Sequence, residues 1–510
     1  MGVQINGDTG NISATKADYS GNVTIGGTLT YEDVTNIDSV GLITAREGIE
    51  VGARPGVAAS ISVDGNMIVS GITTIGGVIN ASSDIKVGSG VTVGKDGDIF
   101  ATGVCTATSF AGDGSALTGI GGTDFIHSEQ INNSGIVTAQ SFVPTVGQFS
   151  HRNIIINGAM QIAQRGSSTS SNATYCVDRF MCLFSGTDES PTFSHVDVSS
   201  GTTPYTSGFR KALKITNGNQ TGGAGTSDYI AVDVRLEAQD LANSGWNYVS
   251  SSSFITYSFW VKSSVAQNFY GYFKTSDGTS QQYPFETGAL TADTWTKITK
   301  TIPGNSNLQF DNNNEQGLMI RFVAFRGTDK TSSSVTLNAW GAYNSSARMP
   351  DNTSTWYTTN DATLEMTGFQ LEVGPVATPF EHRSFHDELQ RCFRYYRQFG
   401  ANNALPTPAS YNRFALGYSP TGGSSARFTL QLDPPMRINP LNANLTTNGN
   451  FNTQPGSSGG SSAITVDDNS CNVQSMTFFC AGLASVSTGD AITLLADGDT
   501  TAYIAINADF

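Results

Sequence analysis

The sequence predicts an all-β chain assembled from several modules, and three observations predict it. Glycine fills 56 of 510 positions while charged residues make up only 14%, a composition that favours strands and tight turns over long solvent-exposed helices. Short stretches alternate with a period of two, as Val104, Thr106, Thr108 and Phe110 do against Cys105, Ala107 and Ser109, which places successive side chains on opposite faces of a strand. Asp-Gly turn signals punctuate them at Asp64-Gly65, Asp96-Gly97 and Asp113-Gly114. A chain of this length exceeds one hydrophobic core, so about three units are expected.

Residues 1–123 form the first unit, and it repeats. A glycine, a few apolar or β-branched residues and usually a Thr-Ala step recur at Gly41, Gly71, Gly103 and Gly135, in steps of 30, 32 and 32 residues. Asp64-Gly65 and Asp96-Gly97 keep the 32-residue step. Each repeat has few large apolar residues, too few to offset an ordering cost of ~1–2 kcal/mol per residue by burial within itself. Repeats of this kind become stable by stacking on one another or by pairing with identical chains. An intertwined homotrimeric β-shaft meets that need and removes open strand edges; a single-chain β-solenoid is the alternative.

Residues 124–150 carry the last echo and then lose the pattern, as a neck would. Over residues 151–383 the strands lengthen and gain aromatic residues, as in "SFITYSFWVKSS" (253–264), "TADTWTKITKTI" (291–302) and "GLMIRFVAFRG" (317–327). With Gly/Ser/Asn loops between them and no helical period, these predict an antiparallel β-sandwich. One connecting helix is predicted over 384–400: Ser384 caps it with Asp387 at the third position, and Phe385, Leu389, Cys392, Phe393, Tyr396 and Phe399 form its apolar stripe. Gly400 is the stop. Residues 401–510 form a β-rich tip domain with a long Gly/Ser/Asn loop at 448–462.

Charge and cysteine usage narrow the function classes. A net charge of −15, with no Lys/Arg run, argues against nucleic acid as a partner. No run of 18 apolar residues exists, so no membrane insertion is expected. The opening residues "MGVQINGDTG" show no secretory signal, and Asn6 breaks a myristoylation pattern. Six cysteines without a Cys-x-x-Cys read as reduced thiols of a chain folded in a cytoplasm.

Two long blocks carry a resemblance. "HRNIIINGAMQIAQRG" (151–166) followed by "FQLEVGPVATPFEHRSFHDELQRCFRYY" (369–396) resembles a module of phage tail-fibre and virion structural proteins. The echoes "YEDVTNIDSVGLITAREGI" and "TATSFAGDGSALTGI" are similar to repeats of structural proteins from marine cyanophages. The resemblance implies an elongated trimeric appendage on the virion, folded in the host cytoplasm and joined through its N-terminal end to other tail or adaptor proteins. It implies a jelly-roll sandwich like those of carbohydrate-binding modules, and a distal region that attaches to a host surface glycan. The virion-anchoring domain of short-tailed-phage fibres is not visible in "MGVQINGDTGNISATKADYSGN", which leaves tail, adaptor and capsid open as attachment points.

Three functions compete: a receptor-binding fibre, a polysaccharide depolymerase, and a head fibre or decoration protein without receptor role. Depolymerisation needs two carboxylates facing each other across a groove. The adjacent pairs Glu32-Asp33, Asp188-Glu189 and Asp467-Asp468 point to opposite strand faces, so no catalytic residues are predicted and the chain is read as a non-enzyme. His382 and His386 are four apart but flank the helix cap without the Glu of an H-E-x-x-H motif, and no acidic run matches a calcium loop. Neither metal nor cofactor is implied. Sugar recognition relies on an aromatic face ringed by hydrogen-bonding groups. Trp356 and Tyr357 lie in the polar stretch "MPDNTSTWYTTND", so these two with Asp351, Asn352 and Asp361 are the candidate ligand-binding residues, the alternative being an aromatic anchor for the loop.

Overall fold

The computed structural model describes residues 150–420, 425–454, 463–481, 483 and 486–510. Before these it describes residues 18, 20–24, 26, 49–51, 59–61, 66–69, 82, 85–87, 91–93 and 98–102. The four echo glycines, the neck up to 149 and Cys105 lie outside the described residues. The fold is all-β, and the chain divides into two compact units, Met1–Ser134 and Gly135–Phe510. No helix among the described residues is long and apolar enough to cross a membrane.

In the first unit β1 (Ile49–Val51), β2 (Ala59–Ile61) and β3 (Met67–Val69) form one antiparallel sheet. β4 (Ile85–Val87), β5 (Val91–Val93) and β6 (Ile99–Ala101) form another. β2 and β5 begin 32 residues apart, as do β3 and β6, the same step that spaces the glycines and turns. Met67, Ile68, Ile99 and Phe100 are between 59 and 72% exposed. Val69, Ile85, Val91 and Val93 are half-buried.

The second unit begins with a segment of turns, residues 150–166, that leads into β7 (Ser168–Thr169), β8 (Thr174–Val177), β9 (Phe180–Ser185) and β10 (Thr192–Asp197). A helical turn, α1 (Thr203–Thr206), precedes β11 (Lys211–Thr216), and β12 (Tyr229–Glu237) runs into the short α2 (Ala238–Ala242). Then follow β13 (Phe254–Ser263), β14 (Asn268–Thr275), β15 (Gln281–Ala289), β16 (Thr296–Pro303) and β17 (Gln316–Arg326). β18 (Gly341–Ala342), α3 (Thr355–Thr358) and β19 (Thr363–Val373) complete the set. Two antiparallel sheets result, ordered β16-β13-β19-β11-β10-β7 and β18-β15-β14-β17-β12-β9-β8. Their facing sides share one core of Phe180, Phe259, Phe285, Phe322 and Phe369, with Phe259 and Phe369 stacked at 5.1 Å. Buried rings of this size dominate the stability of such a sandwich.

The two blocks that carry the resemblance meet in one buried polar clasp. Asn153 donates Nδ2 to the Phe369 carbonyl at 2.9 Å, and its Oδ1 accepts from the N–H groups of Ile155 and Leu371 at 3.0 Å each. Asn157 donates Nδ2 to the carbonyls of Ile162 and Asp178, while Glu388 Oε1 accepts its N–H at 2.5 Å. A Cβ on Gly158 would meet the Phe369 carbonyl oxygen at 2.0 Å, so only glycine lets the segment lie against β19. The shared residues of the blocks therefore act as scaffold: buried amides satisfy backbone groups that no sheet reaches.

α4 (Phe385–Phe393) starts as the sequence predicts, with Ser384 Oγ accepting the Asp387 N–H at 3.1 Å. It ends earlier than 400. Tyr396–Gly400 is a strand, β20, because its backbone pairs with β28 (Tyr503–Asn507), residue by residue from Tyr396↔Asn507 to Gly400↔Tyr503. Aromatic residues serve a strand as readily as a helical stripe, and the distant partner decides. The tip adds β21 (Arg413–Tyr418), β22 (Ser425–Gln431), β23 (Leu445–Asn448), β24 (Phe451–Gln454), β25 (Ala463–Val466), β26 (Ser475–Ala481) and β27 (Ala491–Ala496). Its sheets are β20-β28-β23 and β24-β27-β21-β22-β26-β25, around a core that includes Phe414, Phe428 and Phe478. Tyr411 and Tyr418, by contrast, are 63% and 46% exposed.

The last residues return to the sandwich. Asp509 pairs with Arg165 and with Arg179, Arg235 donates to the Phe510 carbonyl at 3.0 Å, and Arg437 donates to the Ala508 carbonyl at 2.6 Å. Cys176, Cys182, Cys392, Cys471 and Cys480 are free thiols.

Candidate functional site

The loop from Met349 to Asp361 does not present the expected aromatic pair to a ligand. Trp356 and Tyr357 are 0% and 1% exposed. They sit in α3, where Trp356 Nε1 donates to the Thr363 carbonyl at 3.1 Å and Tyr357 stacks on Phe325 at 4.2 Å. Tyr357 Oη donates to Asp228 at 2.8 Å. Both rings anchor the loop in the core, because the sandwich edge offers them apolar contact and hydrogen-bond acceptors together. This corrects the assignment of Trp356 and Tyr357 as ligand-facing. Asp351 is engaged by Thr331 Oγ1 at 2.5 Å, and Asp361 is an exposed turn residue with φ of 57°. Neither converges on a site with the rings.

Asn352 is placed differently. It borders a pocket of about 200 Å³, formed by Ala224–Thr226 before β12, Phe325–Thr328 at the end of β17, Thr331 and Ser354. Its Oδ1 is buried without a hydrogen-bond partner among the described residues. Arg326 is the one charged residue that lines the pocket. It is 5% exposed, its Nε has no partner, and its guanidinium lies 4.6 Å from the ring centre of Tyr229. The neighbouring carboxylates are turned elsewhere: Asp228 to Tyr357 and the Gly225 N–H, Asp329 to Ser227, Asp351 to Thr331. Gly327 lets the turn after β17 close against residues 225–226, since a Cβ there would meet their carbonyl oxygens at 2.2 and 2.3 Å.

Arg326 also ends one row of a patterned face. On the outer side of the seven-stranded sheet the register aligns Ser185, Tyr229 and Arg326, then Leu183, Ala231, Val323 and Tyr270. The next rows are Met181, Asp233, Arg321 and Tyr272, then Arg235, Met319 and Lys274. Tyr343, from the segment after β17, covers Lys274 at 4.7 Å and Arg348 at 5.9 Å. Arg321 grips Asp233 with two hydrogen bonds of 2.5 and 2.6 Å. Tyr272 Oη is buried without a hydrogen-bond partner among the described residues, whereas Tyr229, Tyr270 and Tyr343 are partly exposed. Burial, reinforced by Arg321 and Arg348, lowers the pKa of Arg326, although Tyr272 favours its charge. Burial likewise lowers Lys274, with Arg348, Arg321 and Arg235 adding to it. Burial is the main cause for both groups, and Arg321 and Arg348 add to each. On this face Tyr229, Tyr270, Tyr343, Lys274 and Arg348 reach the surface in part, while Leu183, Ala231 and Val323 between them are buried.

A larger cleft of about 960 Å³ flanks the clasp and is lined by Arg152, Glu381, Arg383, Asp387 and Arg394 among others. Its main charges are satisfied within the fold: Arg383 pairs with Glu381 and Glu388, and Arg394 with Glu237. Burial, helped by Glu237, pushes the Asp240 carboxyl there up to about 6. His382 Nε2 faces the Ser207 carbonyl at 2.9 Å and its ring packs on Phe209 and Phe380. No group of three His, Cys, Asp or Glu residues that could hold a metal ion occurs among the described residues. Asp188 and Glu189 clasp the 217–222 loop, accepting the N–H groups of Gly222 and Asn219 at 2.6 Å each. Trp260 and Trp295 pack with Phe209 and Phe380 on the outer side of the six-stranded sheet.

No protein-family model matches the chain, and no curated protein matches it. Among solved structures it is similar over part of its length to the enzymatically active domain of tailspike protein 4 of bacteriophage CBA120. That match has 7% identity and a TM-score of 0.23, and covers 44% of this chain and 21% of that one. The chain thus spans about a fifth of that tailspike domain's length. It is similar to a putative sugar-binding protein from Bacteroides thetaiotaomicron, with 11% identity, coverage of 44% and 100%, and a TM-score of 0.23. A third is the N-terminal cellulose-binding domain of a Cellulomonas fimi β-1,4-glucanase, with 12% identity, coverage of 42% and 97%, and a TM-score of 0.20. Likenesses this slight carry no argument about the fold or function of this chain.

Proposed function

We propose that this chain is a fibre of a phage virion that attaches to a host cell by binding surface glycan, without cleaving it. The tyrosine face carries the reading. Tyr229, Tyr270 and Tyr343 are partly exposed above the buried Leu183, Ala231 and Val323, with the partly exposed Lys274 and Arg348 beside them. Aromatic faces suit the apolar C–H side of a pyranose, and the polar neighbours suit its hydroxyls. In favour of a homotrimer are the uncovered Met67, Ile68, Ile99 and Phe100, which a second and third copy would bury. Three copies of one modest site give firm attachment through avidity. The N-terminal unit is the part assigned to tail or adaptor proteins, on the strength of the resemblance in the repeats.

The test uses the full chain on immobilised polysaccharides, with reducing ends measured in parallel. Binding that a Tyr270→Ala, Tyr343→Ala double variant weakens, with no reducing ends released, supports a binding fibre. Released reducing ends would instead identify a depolymerase. A protein that binds no saccharide, and whose deletion leaves adsorption unchanged, would be a decoration protein.

A further inference from the structure

The pocket at Arg326 has a composition that the rest of the face lacks. It contains a single charge, positive, nine-tenths buried and paired with no carboxylate among the described residues. A buried guanidinium normally has anionic or carbonyl partners, because leaving its donors unsatisfied is costly. The same pocket is lined by Asn352, whose buried Oδ1 also has no hydrogen-bond partner among the described residues. The hydroxyl-bearing residues Thr226, Thr328 and Ser354 complete the rim. The pocket is therefore prepared for a group that brings oxyanion oxygens to Arg326 and a donor to Asn352. A volume of about 200 Å³ is of the order of one sugar unit. Arg326, which lines it, is in register with Tyr229 and lies 4.6 Å from that ring, so the pocket adjoins one end of the tyrosine face.

Charge distribution points the same way. The chain carries 42 acidic against 27 basic residues, yet Lys274, Arg321, Arg326 and Arg348 cluster here with one directly paired carboxylate, Asp233. In a chain of net negative charge, a local group of cations directs an anionic ligand to itself over short range.

We infer that the Arg326 pocket is an anion subsite of the glycan-binding face, taking a sugar unit that bears a carboxylate or sulfate ester, with Asn352 accepting one of its hydroxyls. This rests on the glycan reading above. The ligand class is then an acidic polysaccharide, and neutral glycans are bound by the tyrosines alone. Arg326 binds as a charged donor and not as a catalytic residue.

Isothermal titration of the full chain with alginate oligosaccharides, dextran sulfate, dextran and inorganic sulfate tests it. Expected are binding of at least one of the two anionic saccharides, a loss of at least tenfold for it in Arg326→Gln, a several-fold loss in Asn352→Ala, and weakening with added NaCl. The Arg326 side chain makes no hydrogen bond among the described residues, so its replacement should leave the melting temperature in place, and Asn352→Ala provides a second, peripheral variant. If dextran binds as tightly as both anionic saccharides, or Arg326→Gln leaves their affinity unchanged, the anion subsite is overturned while glycan binding stands. If none of the three saccharides binds, glycan recognition itself falls. If inorganic sulfate competes as strongly as the saccharides bind, the pocket is a free-ion site and the sugar assignment is lost.

Discussion

Arg179 and Asp509 lie 330 residues apart and form an ion pair of 2.8 Å with both side chains 3% exposed. Arg165 shares the same carboxylate, and the Arg179 guanidinium stacks 3.4 Å from the Tyr395 ring centre. Two sandwich arginines thus depend on one residue from the tip. Removing one partner of a buried pair leaves an uncompensated charge, at a cost of about 3–5 kcal/mol. Asp509→Ala should lower the unfolding free energy by that order in denaturant titrations of the full chain. A change below about 1 kcal/mol would mean that the clasp contributes little.

Trp356 and Tyr357 provide a sharp contrast between core and ligand roles. Trp356→Ala removes a fully buried indole and should cost about 3–5 kcal/mol. Tyr357→Phe deletes only the hydrogen bond to Asp228 and should cost about 1–2 kcal/mol. The Tyr357→Phe protein should bind glycan like the parent. Weaker glycan binding with an unshifted melting curve would return the ring to the site.

Asp178 gives the sandwich a pH dependence. Burial raises its carboxyl from 3.8 to about 6, against the opposing pull of Arg165 and the hydrogen bonds from Gln164. The folded state therefore holds this proton more tightly than the unfolded chain. Its favourable contribution is complete below about pH 4 and is lost as pH rises through about 6. Two pKa units correspond to a contribution on the order of 3 kcal/mol. Asp178→Asn should lack this decline, so the stability gap between variant and parent should widen in the variant's favour from pH 4 to pH 7. A gap that is constant across this range would contradict the assignment.

The uncovered strands of the first unit make a prediction about mass. Ile99 and Phe100 are 68% and 72% exposed in the single chain. Light scattering should give about three times the chain mass of 53.8 kDa for the parent. Replacing Ile99 and Phe100 together by Asp should shift this toward the single-chain value, since charges at a buried interface are costly. A parent that is already monodisperse at 53.8 kDa rules out the homotrimer.

Strands were readable in this sequence wherever alternation and turns coincided. Ile298 is buried between exposed Lys297 and Thr299, as the pattern in 291–302 requires. The helix start was readable too, because Ser384 and Asp387 are local partners. Its end was not: Tyr396 and Phe399 suit either period, and the choice is made by β28, more than a hundred residues away. Likewise the polar neighbours of Trp356 and Tyr357 concealed their burial against Phe325 and Asp228 from other parts of the chain. Arg326 carried only a faint signal, a cation closing an aromatic strand. Its meaning comes from the register that sets it against Tyr229 and from the turn at Gly327, neither of which is written locally.

The pairing of Arg179 with Asp509 also has a consequence in time. A ribosome must travel 330 residues beyond Arg179 before the counter-ion for that arginine exists, which at ordinary rates of synthesis takes roughly 15–70 s. Until then the half-made sandwich holds two arginines without their anion, so a truncated translation product is left marked as unfinished by its own electrostatics.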